Sequence, residues 1–505
     1  MKKRGSITVF LALLLTMFFS AIFAFLEAAR VGGLKANSQI STMQARDTVL
    51  ASYDQSLWEE YHLLFWQADE GDFPALGSLE SLQQSAIEGN LSSLAQSGDN
   101  YYMLQVHLAE VTTNAYQLAT DEGGEAFRKQ AAEMMKVAVA ETALQTMLEW
   151  ITGEDTSEEQ TDLATEAIET LETLDSAAAS DAAQENAAAS DAAGGNTTGT
   201  DSAGESAETG ESAAVTEVQM SENPLEWVKK MSKSGILAIV MPEADISQKS
   251  IDSSTCIANR TLETGNLVVS EDISTTDKLL FYLYLGQYFS DASEESADQT
   301  LDYELEYMIA GKAEDQANLK TVVRRLLLMR EAANLAYLET NSQKQQEVAA
   351  IAAVLVSVVG QPELEPLVQQ GLLAAWAYAE SVSDVRILLE GGKVSLVKTA
   401  EQWHTDLGSL STTVYATEGD QQTKGLSYEN YLQMLMWLTS DEKLAVRAMD
   451  MIEKNIDVQM DQMVCRAECA YVYEAYPLFW GYVTLGSDSL GTLQFQDESD
   501  ISFIE

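Results

Sequence analysis

Histidine and cysteine are both scarce in this chain, at three residues each in 505. Cys256, Cys465 and Cys469 are too few for a disulfide framework, and without clustered histidines they cannot close a structural zinc site. Cys465 and Cys469 lie four apart, on one face of either a helix or a strand. They read as packing residues, with a redox or bridging pair as the alternative. His62, His107 and His404 are scattered, so a metal cluster would need distant segments to converge. Basic residues are scarce too: 29 Lys and Arg stand against 79 Asp and Glu, a formal net charge of −50. Such a surface repels phosphate backbones and anionic lipid, which excludes nucleic acid as a partner and makes any membrane attachment hydrophobic. The acidity itself reads as solubility, with binding of cations or basic partners as the alternative.

Catalytic signatures are missing as well. No GxSxG elbow, HExxH pair, Walker loop or dinucleotide glycine fingerprint occurs. Asp69-Glu70-Gly71-Asp72 hints at a calcium loop, but Gly71, Phe73 and Pro74 stand where such a loop needs oxygen ligands and its glycine. His404, between Trp403 and Asp406, reads as a polar loop residue, with an oriented base as the alternative. The expectation is a non-enzymatic protein without cofactor or metal.

The strongest signal opens the chain. Lys2, Lys3 and Arg4 precede a charge-free run from Ile7 to Leu26. Twenty helical residues rise about 30 Å, the hydrocarbon thickness of a bilayer. The basic flank predicts a cytoplasmic N-terminus, a single pass, and the bulk of the chain outside the cell membrane. A cleavable signal has a shorter apolar core and a small-residue exit site, which Phe23, Phe25 and Leu26 spoil. Met43, Leu50, Leu57 and Leu64, with Tyr53 and Tyr61, suggest an apolar stripe on a helix continuing outward.

The rest of the sequence predicts an α+β fold, mainly α. A transmembrane helix (1–26) is followed by a helical region (27–153), an acidic low-complexity linker (154–222) and a mixed C-terminal domain (223–505). Residues 101–150 read as two helices broken near Asp121–Gly124. The linker carries 18 acidic residues and no basic, proline or aromatic residue, so 176–214 cannot form a core and reads as disordered. Ile236–Met241 and Asp302–Ile309 read as strands. In the second of these, Tyr303 and Tyr307 would face one way and Glu304 and Glu306 the other. Helices are expected at 318–339, 345–359, 366–389, 428–438 and 442–456, and a terminal hairpin at 470–504.

Three basic residues ending in Gly5 before an apolar run resemble the leader of type IV pilins, which is cut after the glycine. Gly5 and Ser6 are thus the candidate processing site, although Phe10 stands where pilins place a glutamate. Lys3–Leu11, Ala51–Asp54, Leu57–Tyr61, Asp302–Lys312, Ala374–Glu380 and Gly425–Leu432 together resemble a Gram-positive family of unknown function, number 5702, found with tight-adherence (Tad) pilus genes. The opening also resembles TadE- and TadG-like proteins. The resemblance implies an accessory or component of a Tad-like pilus or secretion assembly, with other pilin-like subunits as partners, and no catalytic residues. The alternatives are a surface adhesin or sensor module, and an extracellular hydrolase whose site is not recognisable in sequence.

Overall fold

The computed structural model describes residues 4–96, 101–138, 223–231, 235–267, 273–293, 299–414, 425–476 and 492–504. The predicted linker lies outside these residues. In chain order the main elements are α1 (Arg4–Ala51), α2 (Gln55–Tyr61), β1 (Trp66–Gln67), α3 (Gly77–Gln96), β2 (His107–Leu118) and α4 (Asp121–Ala138). Then come α5 (Pro224–Met231), α6 (Ile236–Val240), α7 (Thr275–Tyr288), α8 (Glu304–Ala310), α9 (Asp315–Thr340), α10 (Ser342–Val359) and α11 (Glu365–Leu389). The chain closes with α12 (Leu410–Thr413), α13 (Tyr428–Trp437), α14 (Asp441–Ile456), β3 (Met463–Ala475) and β4 (Leu493–Ser502). The expected class, α+β and mainly α, holds. The residues group into two compact units, one of 1–138, 254–284 and 445–505, the other of 139–253 and 285–444.

The first unit is organised by β3, which pairs antiparallel with β2 along one edge and with β1 and then β4 along the other. Burial alternates along β3: Cys465, Ala467, Cys469, Tyr471 and Tyr473 point inward. The predicted terminal hairpin is the β3–β4 pair. A helix was expected where β2 lies. The valine, threonines and tyrosine of Val111–Tyr116 fit a pleated surface better, and β3 supplies the ladder. The predicted break at Asp121–Gly124 is real, with Glu122, Gly123 and Gly124 all left-handed.

Helix α1 has two halves. Its apolar window is long enough to cross a membrane, and none of that window is buried. From Glu27 onward, Glu27, Arg30, Leu34, Ser38, Ser41, Ala45 and Val49 are buried at helical spacing. Leu34, Ala45 and Val49 pack into the core with Ile87, Leu91, Tyr471 and Tyr473. Thr42 Oγ1 lies 2.9 Å from the Tyr473 hydroxyl. The stripe expected through Met43, Leu50, Leu57 and Leu64 is not one stripe. Met43 is exposed, and the helix ends at Ala51, where the Asp54 carboxylate caps α2 by accepting from Leu57 N–H at 2.8 Å. Asp72, in the rejected calcium loop, accepts from Ser78 N–H at the start of α3.

The second unit is helical. Asn341 caps α10, Gly360 ends it at φ +70°, and Pro366 sits in the first turn of α11. Two expected strands are helices instead. In α6, Leu237, Ile239 and Val240 are all buried, so the apolar run serves a short buried helix that stops before Pro242. In α8, six of seven residues are buried, and Gly311 closes the helix at φ +67°. The alternation there is misleading because the acids are internal. Glu304 accepts from Ser290 N–H at 3.1 Å, and Glu306 accepts from the Tyr428 hydroxyl at 2.7 Å and from Ala292 N–H at 3.0 Å.

Candidate functional site

Two long helices of the second unit carry a polar patch in their buried interface. Arg330 and Asn334 sit one turn apart on α9, and Glu380, Ser381 and Asp384 cover one turn of α11. All five are at most 1% exposed. The loop after α11 brings in Lys398, His404 and Thr405, and α13 brings in Tyr431.

Each carboxylate oxygen meets a donor or a cation. The Asp384 Oδ2 accepts from Arg330 Nε at 3.0 Å and from Asn334 Nδ2 at 3.0 Å. Its Oδ1 forms an ion pair with Lys398 Nζ. Glu380 Oε1 pairs with Lys398 Nζ and accepts from His404 N–H at 3.0 Å. Glu380 Oε2 accepts from Thr405 N–H at 2.8 Å and from Thr405 Oγ1 at 2.7 Å. Arg330 Nη1 also donates to Leu396 O at 2.8 Å and to Tyr431 Oη at 3.0 Å. Two cations thus balance two carboxylates, which is the condition under which charge can be buried without large cost.

The electrostatics follow from that balance. Burial works to raise the Glu380 carboxyl, but the Lys398 charge and the bonds from His404 outweigh it and hold the group well below the usual carboxylate range. Burial works to lower Arg330, yet Tyr431 and Asp384 hold it above its ordinary value. Burial pushes Tyr431 up to about 12, although Arg330 pulls it back.

An aromatic wall closes one side. Tyr337 stacks on Trp403 with centroids 5.1 Å apart, and Trp376 meets Trp403 edge-on at 5.7 Å. Trp376 Nε1 donates to Thr405 Oγ1 at 3.0 Å. Lys344 Nζ lies 4.2 Å over the Trp376 ring.

Glu380, Asp384 and His404 offer ligand atoms within 4.8 Å of one another, a spacing that suits a metal ion. The Lys398 ammonium already contacts both carboxylates, so the chain supplies its own cation where a metal would sit. The arrangement neutralises charge and ties α9, α11 and the following loop together. Each of the four oxygens of Glu380 and Asp384 contacts a hydrogen-bond donor or the Lys398 ammonium.

His404, read from sequence as a polar loop residue, is half-buried, with Nδ1 3.4 Å from Glu380 Oε1. His62 closes α2 in a left-handed conformation, and His107 is exposed at the start of β2. Gly5 and Ser6 lie in the first turns of α1. Cys256, Cys465 and Cys469 are buried and form no disulfide, and burial pushes the Cys465 and Cys469 thiols up. That fits packing residues. Lys312, at the end of the same segment as Tyr303 and Tyr307, is exposed, whereas both tyrosines are buried. Sequence reasoning missed Arg330, Glu380, Asp384 and Lys398. The available signal was the polar turn Glu380–Asp384 inside an apolar helix.

No curated protein and no solved structure matches the chain. Residues 215–475, just over half of the sequence, match the model of a family of unknown function (DUF5702), and every residue of the charge cluster falls within them. The chain belongs to that family.

Proposed function

We propose that the protein is a single-pass, membrane-anchored surface protein that serves a Tad-like pilus or secretion assembly as a non-catalytic component or accessory. The observation that carries this is the division of α1. One half is bare and apolar over a bilayer's thickness, and the other half is built into the core of a folded unit without a break. A secretion signal destined for removal has no reason to continue into the core. The basic residues Lys2, Lys3 and Arg4 support a cytoplasmic N-terminus under the positive-inside rule. The Gly5-Ser6 junction supports handling by a prepilin-type peptidase that keeps the helix.

The charge cluster favours a structural role for the family region, since its four charges satisfy one another. A second reading rests on the convergence of Glu380, Asp384 and His404, which is the geometry of a hydrolytic or metal site. Lys398 stands against it by occupying the centre. The test is chemical crosslinking in intact cells followed by purification from the membrane. Pilin-like subunits or a secretion ATPase among the partners support the assembly role. Recovery of the protein alone, in cells that assemble the fibre normally without it, overturns that role.

A further inference from the structure

We propose that the rim of the sheet-bearing unit around Arg30, carrying Met103 and Tyr476, is a lipid-contact surface seated in the zwitterionic headgroup layer where α1 leaves the bilayer. The inference rests on α1 being a membrane anchor, and it adds where the folded unit stands relative to the lipid.

The exit point is sharp. Phe25 and Leu26 are 76% and 52% exposed, and Glu27 is buried at the next position. Because α1 continues unbroken to Ala51, height above the membrane can be counted along the helix. Arg30 lies four residues beyond Leu26, a rise of about 6 Å. The polar layer of each leaflet is about 5–7 Å thick. Arg30 therefore sits at headgroup depth, and it is shielded there rather than presented to lipid. Its Nη1 pairs with Glu27 Oε1 at 3.0 Å, and the residue is only 9% exposed.

Arg30 also fixes what surrounds it. Its Nε donates to Met103 O at 2.5 Å and its Nη2 to Tyr476 O at 2.7 Å. Two turns further on, Asn37 Nδ2 donates to Leu104 O at 3.2 Å. Leu104 packs so closely on α1 that a Cβ on Gly33 would lie 2.7 Å from its Cδ2. These bonds pin the 3-10 turn Tyr101–Leu104 and Tyr476, just after the end of β3, to α1. Both segments nevertheless expose large apolar side chains, Met103 at 58% and Tyr476 at 63%. Tyrosine is enriched at the membrane–water interface because its ring is apolar and its hydroxyl polar. The occupant is zwitterionic lipid and not anionic lipid. Arg30, the cation that bonds to both Met103 and Tyr476, is already paired, and a chain of net charge −50 gains nothing from anionic headgroups.

The experiment uses the full chain reconstituted in phosphatidylcholine vesicles, with spin labels introduced one at a time by Met17→Cys, Met103→Cys, Tyr476→Cys and Ile40→Cys. The native thiols are buried and stay unlabelled in the folded protein. Accessibility to oxygen, which concentrates in lipid, is compared with accessibility to a water-soluble nickel complex. The expected result is a label at 17 in the hydrocarbon, one at 40 in water, and labels at 103 and 476 at an intermediate depth. Labels at 103 and 476 as water-accessible as the one at 40 overturn the seating while leaving the anchor intact. Shielding of 103 and 476 from both reagents means protein contact, and also overturns it. A label at 17 outside the hydrocarbon removes the anchor itself.

Discussion

Neutralising Asp384 is the sharpest test of the charge cluster. In Asp384→Asn the site keeps Arg330 and Lys398 but only Glu380 to balance them. Asp384 is fully buried, so the surplus positive charge has no water to relax into. Breaking a buried pair on one side costs about 3–5 kcal/mol. Arg330 retains Leu396 O and Tyr431 Oη as acceptors, which places the loss near the lower end of that range. With a urea dependence of about 3 kcal/mol per molar, the unfolding midpoint falls by about 1 M. Tryptophan fluorescence reports it, because Trp376 and Trp403 line the cluster. The double variant Arg330→Met with Asp384→Leu leaves Lys398 and Glu380 as a balanced pair. It is expected to lose less than Asp384→Asn alone, so the two sites are strongly non-additive. A loss under about 1 kcal/mol for Asp384→Asn, or a double variant that merely sums its singles, would refute the reasoning.

Three further outcomes follow from the structure. Burial, with the Asp291 charge second, pushes the Glu306 carboxyl from 4.5 up to about 8, so the folded state keeps a proton that the unfolded state loses. The contribution of Glu306 to stability is therefore fully present below pH 4.5, falls by up to about 1.4 kcal/mol per unit as pH rises toward 8, and levels off above. Glu306→Gln should flatten that slope in urea titrations at several pH values, and an unchanged slope would assign it to other groups. Lys398→Ala exposes Glu380, Asp384 and His404 to an incoming ion, so zinc should raise the urea midpoint of the variant and leave the native protein unmoved; equal shifts in both would show that the ammonium does not hold the site. A maleimide reagent should modify none of the three cysteines in the folded protein and all three in urea, as counted by mass, and rapid labelling of the native chain would contradict their burial.

Much of the helical unit could be read from residues alone. Helices α9, α10, α11, α13 and α14 begin and end within a few residues of their expected bounds. Local chemistry marks them: Asn341 and Ser427 as caps, Gly360 as a stop, and Pro366 in a first turn. The failures came where tertiary context overrode pattern. Asp302–Ile309 alternates like a half-exposed strand, but partners from other segments let Glu304 and Glu306 be buried. β2 draws its ladder from β3, more than three hundred residues further along the chain, and no local window contains that information. The cluster was illegible for the same reason. Arg330 and Asp384 are 54 positions apart, and Glu380 and Asp384 are two of 79 acids. Only the packing of α9 on α11 shows which carboxylates must be paired.

Everything proposed about location depends on α1 remaining attached to the chain. The direct measurement is the mass of the N-terminal peptide from protein extracted out of its native membrane. A start at Met1, or at Ser6 after cleavage behind Gly5, is the expected result, and either keeps Ile7–Leu26 on the mature protein. A start beyond Leu26 would contradict the anchor, the assembly role and the seating of the rim together.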